Sequence, residues 1–371
     1  MAMASSRRSR KPFCRCRALR AVSTKMEALT RVDPNEDPYL ALRTMLGVVL
    51  CLVLAEPLGM SQPMLPIAIG MSMLSGQRGA ITPRTFAGPL MLPVIAMVFS
   101  WLAAVTVNEP MIFIIMNIVL ATGGIALMLF RGSRGGMLLT VFPAMMCISA
   151  LYNEYALVAI RDSMVSGGLL VGVAAIVTNL LFPPQTKRVH VDNPKPHVSR
   201  NPAVELGIRV FVYLVTLILT YASNNISMLI VPIMMLFICA EPDHGGRMEQ
   251  VVDRGGSTIT GAIVAVAALA LFHLVPQFAV LVLLLAVITY FAIDKMSTGP
   301  ARPQYYQNAC SVALVMVLSS TYGTNSAFEV VVQRVVLTSG IMLAGIVLLS
   351  LLEAMFVARD DTPENLTPAL S

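Results

Sequence analysis

From residue 40 to residue 357 the chain is built of apolar runs close to 20 residues long, separated by short polar segments. A run of about 20 apolar residues is the length an α-helix needs to cross the hydrocarbon of a bilayer. A series of such runs excludes an ordinary soluble enzyme, a disordered chain and a disulfide-stapled scaffold. Charge agrees, since only 12% of residues are Asp, Glu, Lys or Arg, about half the share usual in a soluble domain. The fold class read from the sequence is all-α, a polytopic membrane protein.

Twelve spans are read, at about 40–58, 63–75, 86–107, 111–130, 137–155, 162–182, 204–223, 226–240, 256–274, 277–294, 306–322 and 331–357. The second is short and carries Pro66, which suggests a broken or tilted crossing. Lys and Arg set orientation, because they collect on the cytoplasmic side. Alternate segments hold Arg78 and Arg84, Arg131 and Arg134, Lys187 to Arg200, Arg247 and Arg254, Lys295 and Arg302, and Arg359. The opposite loops, SQ, VNEP, SNN and VPQ, have neither residue. An even number of spans with both termini cytoplasmic satisfies nearly every basic residue, and only Arg161 and Arg334 break the pattern. The net charge of +6 follows from these loops and the tail, so no nucleic acid is expected as a partner.

Residues 1–38 read as a basic cytoplasmic tail with no apolar stretch. Their Arg- and Ser-rich start also has transit-peptide composition, and Met26 reads equally as a start. Residues 183–203, PPQTKRVHVDNPKPHVSRNPA, form a Pro-rich basic linker, and 358–371 a second tail. The linker divides a first six-helix unit, 39–182, from a second, 204–357. The units echo each other. The offset is 166 from Arg43 to Arg209 and from Pro66 to Pro232, 170 from Arg84 to Arg254, and 173 from Arg161 to Arg334. Six spans per unit make a parallel repeat, an arrangement in which transporters bind substrate between the halves.

Polar groups inside a bilayer are costly and usually functional. Arg161 and Arg334 defy the charge rule and open Gly-rich helices (Gly167, Gly168, Gly172; Gly340, Gly345). A guanidinium holds carboxylate in a two-pronged hydrogen bond, so the pair is the candidate substrate site for an organic anion. Pairing with Asp162 or with lipid phosphate is the alternative. Arg84, Arg254, Asp243 and Arg247 are candidates for a cytoplasmic gate, within a salt-bridged loop EPDHGGRMEQVVDR. Asn117, Asn179 and Asn308 are intramembrane polar groups suited to hydrogen bonds between helices. Glu353 is placed at the inner end of the last span. No acid falls at a span's midpoint, so no proton relay is visible. Cys51, Cys147, Cys239 and Cys310 lie in apolar runs, and Cys14 and Cys16 lack metal or redox spacing. No metal, cofactor or enzymatic motif is expected.

The order of these signals resembles the fusaric acid resistance protein-like family and its aromatic acid exporter relatives. The stretch RGGSTITG, with Arg254, Thr258 and Gly261, and the later Arg334, Thr338 and Gly340 carry the resemblance. The first unit keeps Arg84 and Arg161 but degrades the Thr and Gly positions. Resemblance covers roughly 40–182 and 204–357, without the extensive cytoplasmic domain of the larger exporters. It implies a bacterial inner-membrane efflux subunit for small organic anions, such as aromatic carboxylic acids, working with a periplasmic membrane-fusion adaptor. An organic-anion channel akin to aluminium-activated malate transporters is the second reading. A non-transporting envelope scaffold is the third. A homo-oligomer fits each of them.

Overall fold

The computed structural model describes residues 37–60, 64–79, 83–133, 135–186, 201–223, 226–241, 244–323 and 327–356. The N-terminal tail, most of the linker and the C-terminal tail lie outside the described residues. Among these there are twelve α-helices and no strand. The first six are α1 (Leu40–Ala55), α2 (Met64–Ser75), α3 (Pro83–Thr106), α4 (Pro110–Arg131), α5 (Gly135–Tyr152) and α6 (Glu154–Leu181). The second six are α7 (Pro202–Ser223), α8 (Ile230–Ala240), α9 (His244–Leu274), α10 (Phe278–Thr298), α11 (Pro303–Tyr322) and α12 (Ala327–Phe356). A 3-10 turn, Ile226–Leu229, leads into α8.

Local chemistry sets several boundaries. Asn153 accepts the Ala156 N–H at 2.5 Å and starts α6, a side-chain cap for an otherwise orphaned donor. Gly132, at φ 57°, ends α4 in the left-handed conformation glycine tolerates. Prolines open α4 and α11, where a missing N–H costs nothing.

Eight helices are long and apolar enough to cross a membrane: α3 to α7, α9, α10 and α12. The protein is a multi-pass membrane protein. α1, α2 and α8 are shorter, with 16, 12 and 11 residues. At about 1.5 Å per residue they fall short of the roughly 30 Å hydrocarbon layer. The outward faces of the long helices are apolar: Trp101, Met111 and Leu274 are 66%, 74% and 78% exposed. In water such continuous apolar surface is a liability; in lipid it is matched to its solvent.

The segment 244–254 departs from expectation. It is not a loop but the first turns of α9, which begins at His244 rather than near 256. Arg247, Val251, Arg254 and Thr258 are buried along it, and their spacing of four, three and four places them on one helical face. Charge density in this stretch masked that periodicity.

Within the first six helices, α1 packs on α2 and α6, α2 on α6, α3 on α5 and α6, and α4 on α5. Within the second six, α7 packs on α8 and α12, α8 on α12, α9 on α11 and α12, and α10 on α11. Across the two sets α1 meets α10, α2 meets α11, α4 meets α7 and α5 meets α8. Two of the apolar cores cross the same boundary. One joins Val48, Ile67 and Val171 to Leu285 and Leu314; the other joins Ile125 and Ile148 to Leu217 and Leu236.

Close approaches are made at small residues. A Cβ on Gly124 would stand 2.8 Å from the Gly136 carbonyl oxygen, where α4 meets α5. A Cβ on Gly168 would stand 2.8 Å from Pro93 Cδ, and one on Gly167 3.2 Å from Pro66 Cα. The Gly-rich stretch after Arg161 therefore makes room for prolines of α2 and α3.

Candidate functional site: buried arginines at the two ends of the bundle

α1 begins at the proximal end of the bundle, the end where α2, α6, α8, α10 and α12 finish. An α-helix leaves its last four carbonyls without internal partners and carries partial negative charge there. Two fully buried arginines answer this for the two shortest helices. Arg43 donates from Nη2 to the Gln77 carbonyl just beyond α2, at 2.8 Å. Its Nη1 lies 2.9 Å from Asp37 Oδ2. Arg209 donates from Nη1 to the carbonyls of Cys239 and Glu241 at the end of α8, at 2.6 and 2.7 Å. Its Nη2 donates to Glu205 Oε1 at 2.5 Å.

Glu353 extends the Arg209 cluster. Its Oε2 accepts from Arg247 Nη2 at 2.6 Å, and its Oε1 lies 3.7 Å from Arg209 Nη2. One carboxylate thus ties α12 to both α9 and α7. The residue that the sequence places at the inner end of the last span is a bridge between two buried cations. Asn179 occupies a comparable place on α6, donating to Gln77 Oε1 at 3.2 Å and to the Ala175 carbonyl at 2.7 Å. A neutral amide pair stands there in place of an ion pair.

Arg254, another gate candidate, falls nearby. The Arg254 guanidinium carbon lies 3.3 Å from the centre of the Phe237 ring, a cation–π contact between α9 and α8. Its Nε reaches Gln250 Oε1 at 3.3 Å. Arg302 pairs with Glu249. The Arg84 side chain and Asp243 lie outside the described residues.

Asn117 links helices, as read from sequence. It donates to the Phe113 carbonyl at 2.8 Å and to Cys147 Sγ at 3.7 Å, and it accepts from the Tyr221 hydroxyl at 3.3 Å. The Asn308 amide nitrogen is buried with no hydrogen-bond partner among the described residues. Cys51, Cys147, Cys239 and Cys310 are buried free thiols.

At the distal end Arg161 and Arg334 each occupy the eighth position of their helices, α6 and α12. They are otherwise unlike. Arg161 is 37% exposed, and its Nε and Nη2 both lie 2.8 Å from Asp162 Oδ1, the alternative pairing considered from the sequence. Arg334 is half-buried, and no hydrogen bond or ion pair holds it among the described residues. No shared partner joins the two among those residues. Sequence patterns mark Arg43 and Arg209 only as repeat positions. The carbonyls they hold lie 30 to 34 residues away, beyond any local signal.

No curated protein and no solved structure matches the chain. The family model described as fusaric acid resistance protein-like matches residues 210–349, which run from α7 into α12 and include Arg247, Arg254, Thr258, Gly261, Arg334, Thr338 and Gly340. Over that stretch, less than half of its length, the chain is similar to the fusaric acid resistance protein-like family.

Proposed function

We propose that the protein is an efflux transporter for small organic anions, aromatic carboxylates among them, seated in a bacterial inner membrane with both termini cytoplasmic. The family match and the apolar helices support membrane transport as the class of function. Duplication is supported by the packing, because each helix pair in the first six has a counterpart six helices later. Twelve passes require α11, which is long enough but less apolar than the eight, and the three short helices, completed by their flanking turns. The proximal cluster of Arg209, Arg247, Arg254 and Glu353, with Arg84 and Asp243, is assigned to a cytoplasmic gate. A separate periplasmic adaptor would carry cargo onward.

The observation that carries the substrate class is Arg334. It is a half-buried cation on an apolar helix with no counter-charge among the described residues, and such a group favours an anion beside it. Carboxylate flux into proteoliposomes tests this at matched protein density. Arg334→Gln is expected to lower apparent affinity about 10- to 100-fold, the worth of a charge-assisted hydrogen bond of roughly 1.5–3 kcal/mol. Arg334→Lys keeps charge but loses the two-pronged geometry, and should fall between. Arg161→Gln should change flux far less, since Asp162 already occupies that guanidinium. Undiminished flux in Arg334→Gln would remove the site.

A channel is the second reading. It is favoured by the described carboxylates, such as Glu56, Asp294 and Glu353, which lie near helix ends rather than at midpoints. Anion currents that follow the applied potential without saturating would select it.

A further inference from the structure

A cavity of about 330 Å³ lies between α9, α10 and α11. Its walls are apolar, with Val264, Ile288, Phe291, Ala309 and Ala313 among them. Local packing explains the space. α9 closes on α11 at Gly261, whose Cβ would stand 2.6 Å from the Ala309 carbonyl oxygen. The small side chains of Ala309 and Ala313 then leave room beneath α10. The Tyr305 hydroxyl is engaged by Thr260 Oγ1 at 2.7 Å. α4 and α5, six helices earlier, are drawn together through Gly124 and Gly136.

The rim lies on the lipid-facing flank. Val287 and Phe291 are 44% and 59% exposed, beside Ile263 and Leu283 at 65% and 63%. Lys295 also lines the cavity. It sits four residues beyond Phe291, hence on the same face of α10, toward the proximal end. Its ammonium is exposed, and no hydrogen bond or ion pair holds it among the described residues. An apolar chamber open to the acyl region, with the exposed and, among the described residues, unpartnered Lys295 on its lining, has amphipathic chemistry.

We infer that this cavity binds an amphipathic organic monoanion drawn from the adjoining leaflet, with its apolar body between α9 and α10 and its acid group at the Lys295 ammonium. The volume stands at the small end of ligand pockets, which run from about 300 to 1,000 Å³. That suits a single ring or short chain and excludes a two-chain lipid. The site deepens the transport reading and rests on it for the onward movement of the bound anion; binding itself is measurable without flux.

The test uses the full chain in nanodiscs of zwitterionic lipid, with tritiated 4-phenylbutyrate and its neutral counterpart 4-phenylbutanol as probes, read by equilibrium dialysis. Saturable binding of the acid is expected. Lys295→Gln should weaken it about tenfold and leave the alcohol unchanged, while Lys295→Arg stays near wild type. Val287→Trp, at the exposed rim, should block both probes without burdening the core. Equal loss of acid and alcohol in Lys295→Gln, or no loss of either, would overturn the assignment. Loss of probe binding on doping the discs with phosphatidylglycerol would give the cavity to lipid and overturn it as well. Lys295-dependent binding with no carboxylate flux would refute transport and keep the site. Flux without saturable binding would do the reverse.

Discussion

Arg209→Leu is expected to destabilise the protein by about 3–5 kcal/mol, the cost of removing one partner from a buried ion pair. The Arg209 guanidinium is wholly buried and serves the Cys239 and Glu241 carbonyls, Glu205 and, at longer range, Glu353. Leucine fills much of the volume but meets none of those charges. Arg209→Lys should lose less, because it keeps the cation while giving up the planar fork. The double variant Arg209→Leu/Glu205→Leu should recover part of the loss, since an apolar pair can replace a buried ionic one. It should not recover all of it, because the end of α8 would still lack its donor. Unfolding in mixed micelles at increasing SDS reads the difference directly. A change below about 1 kcal/mol in Arg209→Leu would show that α8 is held by its apolar contacts alone.

Two alanine substitutions six residues apart on α9 should act with opposite sign. A Cβ on Gly261 would stand 2.6 Å from the Ala309 carbonyl oxygen and 3.0 Å from Val312 Cβ. Both belong to parts of α11 that cannot rotate away, so α9 and α11 must separate. Overpacking of this kind costs about 1–3 kcal/mol. A Cβ on Gly255 meets nothing within 4 Å. There alanine only removes backbone freedom from the unfolded chain and should stabilise by about 0.5–1 kcal/mol. The same micelle titration measures both. Stabilisation of equal size at the two positions would mean that helix propensity, rather than the α9–α11 contact, decides them.

The helices were legible because membrane spans write themselves as long one-signed runs. α4, α5 and α10 follow the apolar stretches closely. What escaped was set by partners distant in sequence. The first turns of α9 looked like a loop, because a buried arginine and an exposed one are the same letter. Arg247 reads as a loop charge until Glu353, 106 residues on, is seen beside it. Arg161 and Arg334 read as equals from their matching positions. One neighbour, Asp162, separates them. The cavity beside Lys295 had no signal of its own, since a void is made by the smallness of Ala309 and Ala313 rather than by any motif.

Within the proximal cluster Arg209 and Arg247 are set against Glu205 and Glu353, whereas Arg334 has no counter-charge among the described residues. It lies three residues inside Val331, where the apolar span of α12 begins, or about 5 Å along the axis, roughly a sixth of the hydrocarbon depth. A charge there feels part of the transmembrane voltage, worth about 2.3 kcal/mol per 100 mV for a full crossing. In the transport we propose, an anion docking on Arg334 would cancel that charge, so the empty and loaded forms would respond differently to the field. The protein would then be an electrical device as well as a chemical one. Its carboxylate flux should shift when a potassium–valinomycin gradient sets the potential, and a voltage response of equal size in Arg334→Gln would assign the electrical sensitivity to other charges.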